Sequence, residues 1–309
     1  MEGIPLEKNR VGQSDIYISP LSLGCMSLGI DKKKALEMID YALENGINHL
    51  DTADLYDFGE NEKIVGEAIK RRRDKVIVTT KVGNHFDRTK KRTDWFWDPS
   101  KKYIETALQE SLKRLQTDYI DIYLLHGGTI DDPIDEVIDT FERLKQSGYI
   151  RTYGISSIRP NVIKQYMENS NIDVVMMQYN LLDRRPEELL NDLHKRNISV
   201  LARGPLAKGI LSDRANKYLD EKGKEGYLEY TQEELLETVQ QLSRMTDSLT
   251  KLSFQYILHH PAVASAVFGA STKEQLAQNI ECFSTTKLSS DTYDKIQKLT
   301  KFFQYKIHR

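Results

Sequence analysis

Four side chains of this 309-residue sequence have the chemical types that proton transfer requires. Asp51 ends a predicted strand, Tyr56 follows it by five residues, and Lys81 and His126 each follow an apolar run. An ammonium beside a phenol favours the phenolate, and a carboxylate compensates the charge of the ammonium. We therefore expect Asp51 and Lys81 to lower the pKa of Tyr56 from about 10 toward neutrality, which makes it a general acid. His126 would orient a carbonyl oxygen or relay the proton. The structural alternative is an ion pair, a satisfied histidine and a packed tyrosine.

These side chains can act together only if the segments that carry them lie side by side. Short β-branched runs alternate with amphipathic helical patterns up to the C-terminus, which is typical of βαβ units and a parallel sheet. The predicted strands are 21–24, 47–52, 76–81, 119–126, 152–156, 174–179, 199–203 and 264–269. The predicted helices are 32–45, 60–73, 100–116, 133–147, 159–168, 186–196, 247–259 and 272–281. Eight such repeats favour an α/β fold that closes as a (β/α)8 TIM barrel.

The other arrangement to consider is a doubly wound sheet. Such a sheet normally begins with a glycine-rich turn after its first strand, and the run from Gly24 to Gly29 lacks the G-x-G-x-x-G spacing. The barrel is therefore favoured. The active site of a TIM barrel lies at the carboxyl ends of its strands, where these four side chains either end a strand or follow one in a loop.

Two segments fall outside the eight repeats. Residues 6–18 predict an N-terminal hairpin that plugs the barrel floor, and residues 290–303 predict an extra C-terminal helix packed outside the barrel. The polar stretch 213–230 predicts a loop or a flexible helix after the seventh barrel strand. We expect the whole chain, residues 1–309, to form a single domain.

The composition narrows the range of partners. A formal net charge of -2 at pH 7 provides no basic excess to neutralise phosphates, so no nucleic-acid partner is expected. The N-terminus has no apolar signal segment and no later run reaches membrane-spanning length, so we expect a cytoplasmic protein with no membrane partner.

We expect Cys25 and Cys282 to be reduced thiols, because two cysteines make neither a disulfide framework nor a zinc site. The oligomeric state does not follow from the sequence.

Several motifs around the four side chains resemble those of the aldo-keto reductase superfamily, in particular its bacterial-type enzymes. The motifs that carry the likeness are 46–53 with Tyr56, Gly59, Glu62 and Gly66, then 112–121 before His126, 148–151 before 154–156, and 178–180. The chain is also similar to the β subunits of voltage-gated potassium channels, which share this barrel and its cofactor site.

The resemblance implies an NADP(H)-dependent oxidoreductase of the alcohol dehydrogenase or carbonyl reductase type. Such an enzyme transfers a hydride reversibly from a nicotinamide to a small aldehyde or ketone. By this resemblance Tyr56 is the general acid, Lys81 and Asp51 set its pKa, and His126 orients the substrate carbonyl. No metal is expected, because the tyrosine and the histidine polarise the oxygen.

The resemblance also implies a cofactor extended across the barrel mouth. Ser156 and Gln178 resemble the residues that hold the nicotinamide carboxamide, and Arg203 stands where many members stack an aromatic ring on the nicotinamide. The implied pyrophosphate contacts are Gly204, Pro205, Leu206, Lys208, Gly209 and Arg214. The implied adenosine-phosphate contacts are Gly269, Ser271, Thr272, Lys273, Gln275 and Asn279. Thr272 stands where a lysine or arginine often grips the 2′-phosphate, which leaves Lys273 as the nearest cation. NADPH is favoured, with NADH as the second option.

The segment 85–97, which follows the third barrel strand, holds both tryptophans. Ligand clefts are lined mostly by apolar side chains, so Trp95 and Trp97 predict a substrate wall beside Tyr56 and His126. The same rings would alternatively anchor the loop on the barrel rim.

Two other functions stay open. A Schiff-base lyase or isomerase would use Lys81 as an amine nucleophile, although the paired Asp51 counts against it because it stabilises the ammonium. A nucleotide-sensing interaction subunit would keep the same barrel and cofactor site but would act through a protein partner.

Overall fold

Eight parallel strands close into a barrel in the computed structural model, which describes residues 7–86 and 94–306. The strands of these residues are β1 (Asn9–Arg10), β2 (Tyr17–Ile18), β3 (Leu21–Gly24), β4 (His49–Asp51), β5 (Ile77–Val82), β6 (Asn84–Phe86), β7 (Trp95–Trp97), β8 (Ile120–Leu125), β9 (Ile150–Ser156), β10 (Val174–Gln178), β11 (Ser199–Arg203) and β12 (Val263–Phe268). The barrel order is β3, β4, β5, β8, β9, β10, β11, β12, and β12 pairs back to β3. The predicted (β/α)8 TIM barrel is confirmed.

The helices surround this barrel. They are α1 (Lys32–Glu44), α2 (Glu60–Ile69), α3 (Lys101–Leu115), α4 (Ile134–Gln146), α5 (Pro160–Asn169), α6 (Glu187–Lys195), α7 (Ala215–Lys222), α8 (Gln232–Ser243), α9 (Leu249–Ile257), α10 (Lys273–Glu281) and α11 (Ser290–Leu299). The eight predicted helices correspond to α1 to α6, α9 and α10. Within the described ranges, no helix is both long enough and apolar enough to span a membrane.

Both faces of the barrel strands are covered, which explains why their sequences are apolar runs rather than strict alternations. All six residues of β8 are buried, for example. Ile122, Leu124, Val174, Met176 and Leu201 belong to the core inside the barrel. A larger core fills the layer between the strands and the helices.

A layer of polar side chains crosses the barrel interior. Ser22 Oγ lies 2.7 Å from His49 Nδ1 and 2.5 Å from Ser265 Oγ, and His49 Nε2 lies 2.7 Å from Thr79 Oγ1. Burial, aided by the charge of Lys81, lowers the pKa of His49 to about 3, so this imidazole is neutral. Because alternate residues of a strand share a face, Lys81 points into the barrel one layer above Thr79, at the mouth.

A short hairpin of β1 and β2 seals the other end of the barrel. Its turn is fixed by two hydrogen bonds, from Gly12 N to Ser199 Oγ (2.9 Å) and from Gln13 N to Asp173 Oδ1 (2.7 Å). Gly12 has a φ of +54°, and a Cβ there would lie 2.5 Å from the carbonyl oxygen of Asp173, so the turn requires glycine. The predicted N-terminal plug is confirmed.

The structure adds elements that the sequence pattern did not predict. Helix α8 begins with a capping box, in which Glu234 N donates to Thr231 Oγ1 (3.2 Å) and Thr231 N donates to Glu234 Oε2 (2.9 Å). The antiparallel pair of β6 and β7 beside the barrel mouth was not predicted either. The stretch 213–230 contains α7, so of its two predicted forms, a loop or a flexible helix, a helix is present. The extra C-terminal helix is present as α11 but ends before Thr300, whose backbone is extended.

Candidate active site

The carboxyl ends of the barrel strands open into a cleft of about 1240 Å³. Asp51, Tyr56 and His126 line one part of this cleft, and Gln178 and Arg203 line another. The four side chains with the predicted proton-transfer chemistry therefore come together, because the strands that carry them are neighbours in the barrel.

The ammonium of Lys81 connects the proposed acid with its carboxylate. Lys81 Nζ donates to the Tyr56 hydroxyl oxygen at 3.2 Å and to the carbonyl oxygen of Thr52 at 2.7 Å, and it lies 2.8 Å from Asp51 Oδ1. The Lys81 side chain is fully buried and that of Asp51 is 6% exposed. A buried charge persists only when it is paired and hydrogen-bonded, so these contacts keep Lys81 as an ammonium directed at the phenol.

The pKa of Tyr56 departs from the expectation. Desolvation raises the pKa of Tyr56 above its ordinary value, and the Lys81 ammonium offsets only part of the rise. The expected shift toward neutrality is wrong in direction, because removing the phenolate from water costs more than the ammonium returns. Burial by itself lowers the pKa of Lys81, but Asp51 and Tyr56 outweigh burial and raise it. Tyr56 thus keeps its proton at neutral pH, beside a cation that stabilises the phenolate formed when the proton leaves.

His126 faces Tyr56 edge-on, with 6.1 Å between the ring centroids. Burial, together with the charges of Lys81 and Arg203, lowers the pKa of His126 to about 3. Its Nδ1 is buried and has no hydrogen-bond partner in the described part of the chain. A neutral imidazole carries one N–H that can donate to a carbonyl oxygen, whereas it binds a second proton poorly. The geometry therefore favours the orienting role of His126 over proton relay.

The imidazole of His126 should show no titration between pH 5 and 8. Its pKa near 3 places the protonation step well below this window, so both ring nitrogens should keep constant chemical shifts. Long-range proton–nitrogen NMR spectra of the wild type, assigned with a His126→Asn variant, check this, and the other histidine signals in the same spectra provide the comparison. A midpoint inside the window would contradict the neutral, orienting role.

The ends of β9, β10 and β11 bring together the residues that the resemblance assigns to the nicotinamide. Ser156, Gln178 and Arg203 all line the cleft. Arg203 Nη1 donates to Gln178 Oε1 at 3.0 Å, and Gln178 Nε2 donates to Asp183 Oδ2 at 2.9 Å and to the Tyr227 hydroxyl at 3.3 Å. The flat guanidinium expected to stack on the nicotinamide is therefore held in place by hydrogen bonds.

The loop after β11 follows the rim of the cleft. The predicted pyrophosphate residues that line the cleft are Gly204, Pro205, Leu206, Lys208, Gly209 and Arg214. Residues 213–230, which we call the strap, pack against this loop. Lys222 Nζ donates to the carbonyl oxygen of Lys208 at 3.2 Å, and the Tyr218 ring lies so close to Gly209 that a Cβ there would be 2.5 Å from it.

Tyr218, Lys222 and Tyr227 of the strap also line the cleft, although the sequence did not identify them. The Tyr227 hydroxyl accepts from Asn180 Nδ2 at 3.1 Å as well as from Gln178 Nε2. Tyrosines in a mostly polar stretch were the available signal. Gly226, directly before Tyr227, has a φ of +78°, and a Cβ there would collide with the carbonyl oxygen of Tyr230.

The segment after β12 is only partly as predicted. Its cleft-lining residues include Gly269, Ser271, Gln275 and Asn279. Thr272 instead caps α10, since its Oγ1 accepts from Gln275 N at 3.2 Å. Lys273 Nζ lies 5.3 Å from the centroid of the Tyr41 ring. Neither Thr272 nor Lys273 is among the residues that line the cleft, and their contact with an adenosine phosphate stays a prediction.

The two tryptophans also do not line the cleft. Trp97 Nε1 donates to Asp132 Oδ1 at 2.8 Å, and its ring covers Gly83, where a Cβ would lie 2.5 Å from it. Trp95 is 50% exposed on β7. Trp97 thus anchors the β6–β7 pair on the rim, as the alternative expects, and the substrate wall stays a prediction. Residues 87–93 of the predicted wall segment lie outside the described residues.

Known proteins resemble this chain over almost its whole length. Residues 20–301 match the model of the aldo/keto reductase family. The uncharacterized oxidoreductase YqkF of Bacillus subtilis (strain 168) is 52% identical over 307 residues, which cover 98% of this chain and 100% of that protein. The NADH-specific methylglyoxal reductase of Escherichia coli (strain K12) is 28% identical, with 93% and 96% covered. The solved holo form of aldo-keto reductase AKR11C1 from Bacillus halodurans superposes with a TM-score of 0.93 at 51% identity, with 98% and 99% covered.

Proposed function

The chain belongs to the aldo/keto reductase family, and we propose that it reduces small aldehydes or ketones to alcohols with NADPH. The observation that carries the proposal is the contact of one buried ammonium with both a carboxylate and a phenol at the cleft. Lys81 Nζ lies 2.8 Å from Asp51 Oδ1 and 3.2 Å from the Tyr56 hydroxyl. A phenol with a cation behind it is suited to protonate an oxygen on which negative charge develops.

Each of the four side chains has one role in this proposal. Tyr56 donates its hydroxyl proton to the carbonyl oxygen, and Lys81 stabilises the resulting phenolate. Asp51 keeps Lys81 charged. His126, neutral because its pKa is about 3, donates a hydrogen bond that orients the carbonyl oxygen toward Tyr56.

The remaining cleft residues fit a nicotinamide dinucleotide. Gln178 Oε1 accepts from Arg203 and has a second lone pair, which suits a carboxamide N–H together with the Ser156 hydroxyl. The loop 204–209 lines the cleft, and Lys208 and Arg214 add positive charge, as a diphosphate requires. Ser271, Gln275 and Asn279 would hold the adenosine end. When bound, such a cofactor supplies the hydride.

We base the proposed preference for NADPH over NADH on the positively charged side chains that line the cleft. Lys208, Arg214 and Lys222 line it and can compensate an additional phosphate, whereas Lys273 is turned toward Tyr41. NADH is the competing cofactor, and one relative carries the name of an NADH-specific reductase.

A Schiff-base mechanism is disfavoured by the state of Lys81. Nucleophilic lysines need a lowered pKa, but Asp51 and Tyr56 raise the pKa of Lys81 despite its burial. The amine is therefore held as an ammonium, which has no lone pair for attack on a carbonyl.

Nucleotide binding and turnover measured on the same preparation test the proposed function. NADPH and NADH are titrated by fluorescence, and oxidation of each is then followed with a panel of small aldehydes, ketones and sugars. We expect tighter binding of NADPH and turnover with at least one carbonyl. Tight binding without turnover on the whole panel would favour the nucleotide-sensing subunit, and absence of binding would reject the cofactor site itself.

A further inference from the structure

Asp183 is buried just after β10 and contacts the side chains of Arg185 and Gln178. Arg185 Nε donates to Asp183 Oδ1 and Arg185 Nη2 donates to Oδ2, both at 2.7 Å. Gln178 Nε2 donates to the same Oδ2 at 2.9 Å. The Asp183 side chain has no exposed surface, while Arg185 is 18% exposed and covers the Tyr305 ring. Both oxygens of Asp183 face N–H donors, so this carboxylate serves as a hydrogen-bond acceptor for Arg185 and Gln178.

The side-chain amide of Gln178 has one donor end and one acceptor end, so a neighbour that fixes one end also fixes the other. Asp183 takes the NH₂ group, and the carbonyl oxygen then accepts from Arg203 Nη1 at 3.0 Å. A reversed amide would place its oxygen against the carboxylate and its NH₂ against the guanidinium. Both hydrogen bonds to charged groups would be lost together.

We propose that Asp183 is a positioning residue, which sets the direction of the Gln178 amide and through it holds Arg203 at the cleft wall for the nicotinamide. This inference rests on the proposed function, since it assigns Gln178 and Arg203 to the nicotinamide end of the cofactor. Tyr227 reinforces the same direction, because its hydroxyl lies 3.3 Å from Gln178 Nε2 and accepts from it. The carboxylate acts on the cofactor through two other side chains and does not itself line the cleft.

Asp183→Leu should release this arrangement, because leucine has a similar volume and no acceptor. The NH₂ group of Gln178 then loses its charged acceptor. The direction of the amide is no longer fixed, and Arg203 loses a fixed partner for its guanidinium. We expect NADPH to bind about 10- to 100-fold more weakly, as the loss of a hydrogen bond to a charged group implies.

A pair of substitutions tests the same contact from the side of Gln178. Gln178→Glu alone faces the Asp183 carboxylate with a like charge and should also weaken NADPH binding. In the double variant Asp183→Asn/Gln178→Glu, the asparagine side chain can donate to the glutamate, which accepts from Arg203 with its other oxygen. We expect this variant to bind NADPH within about 10-fold of the wild type and better than Gln178→Glu. Asp192→Asn, on the exposed face of α6, is the matched control.

Two probes separate positioning from a general loss of structure. NADPH contains the nicotinamide, whereas 2′,5′-ADP lacks it and should bind the wild type and Asp183→Leu equally well. Unchanged NADPH affinity in Asp183→Leu, equal weakening of both probes, or a double variant that binds NADPH no better than Gln178→Glu would each overturn the inference while leaving the proposed function intact. A wild type that binds neither NADPH nor NADH would overturn the proposed function and the inference with it.

Discussion

Tyr56→Phe should lower kcat/KM for carbonyl reduction about 10²- to 10⁴-fold while the affinity for NADPH stays within about twofold of the wild type. Phenylalanine keeps the ring that faces His126 at 6.1 Å but has no proton to donate. Lys81 keeps its contacts with Asp51 and with the Thr52 carbonyl oxygen, so the buried charge remains satisfied. Steady-state rates with the best carbonyl of the panel, and nucleotide titrations on the same samples, measure the two effects.

The control for this variant is Tyr149→Phe, which removes a hydroxyl from a tyrosine that is 41% exposed and away from the cleft lining. Its turnover should equal that of the wild type. If Tyr56→Phe turned over as fast as this control, Tyr56 would not be the proton donor. If it failed to bind NADPH, the tyrosine would have a structural role in the cofactor site instead.

Lys81→Met should destabilise the fold by about 3–5 kcal/mol and abolish turnover, because it leaves the buried Asp51 carboxylate without its cation. The ion pair is nearly inaccessible to water, with the two side chains 0% and 6% exposed, so solvent cannot replace the lost partner. The free energy of unfolding from guanidinium titration measures the first effect. The second effect follows because no cation remains to stabilise the phenolate.

The double variant Lys81→Met/Asp51→Leu distinguishes the two contributions of this lysine. Replacing both members of a buried ion pair with apolar side chains of similar volume is often close to neutral for stability. The double variant should therefore recover most of the lost unfolding free energy and yet remain inactive. Recovery of turnover in this variant, or a single Lys81→Met that is as stable as the wild type, would contradict the role given to the pair.

The barrel could be predicted from the sequence because its signals are repeated and local. Most barrel strands are largely apolar runs that both layers of the core bury, and the strands alternate with amphipathic helices. The convergence of Asp51, Lys81 and His126 then follows from the rule that the strands of such a barrel end at the same face. Helix α8 was missed although its capping box, Thr231 to Glu234, is legible in the sequence.

Other features of the site depend on quantities that residue order does not contain. The direction of the Tyr56 pKa shift is decided by how much water the fold removes from the phenol, which outweighs the identity of its neighbour. In α10 the phase of the helix decides which side chains reach the cleft. Thr272 becomes the cap, while Gln275 and Asn279, four residues apart, share the inner face.

The orientation of Trp97 likewise could not be predicted from the sequence. The sequence places Trp97 in a segment after a barrel strand, but only the pairing of β6 with β7 shows the direction of its ring. That ring lies over Gly83 and its N–H donates to Asp132, so its apolar surface packs against the barrel rim.

The pairing of β12 with β3 has a consequence for how the chain reaches its native state. Leu21 of β3, the first barrel strand, pairs with Ala266 of β12, the last barrel strand. The edge of β3 that faces β12 therefore has no partner until β12 is in place. During synthesis on the ribosome the edge of β3 stays unpaired until nearly the whole polypeptide has emerged. An unpaired strand edge is a template for intermolecular association, and contacts so distant in sequence form slowly. Chains truncated before β12 should therefore be the aggregation-prone species, which chaperones must shield until the barrel closes.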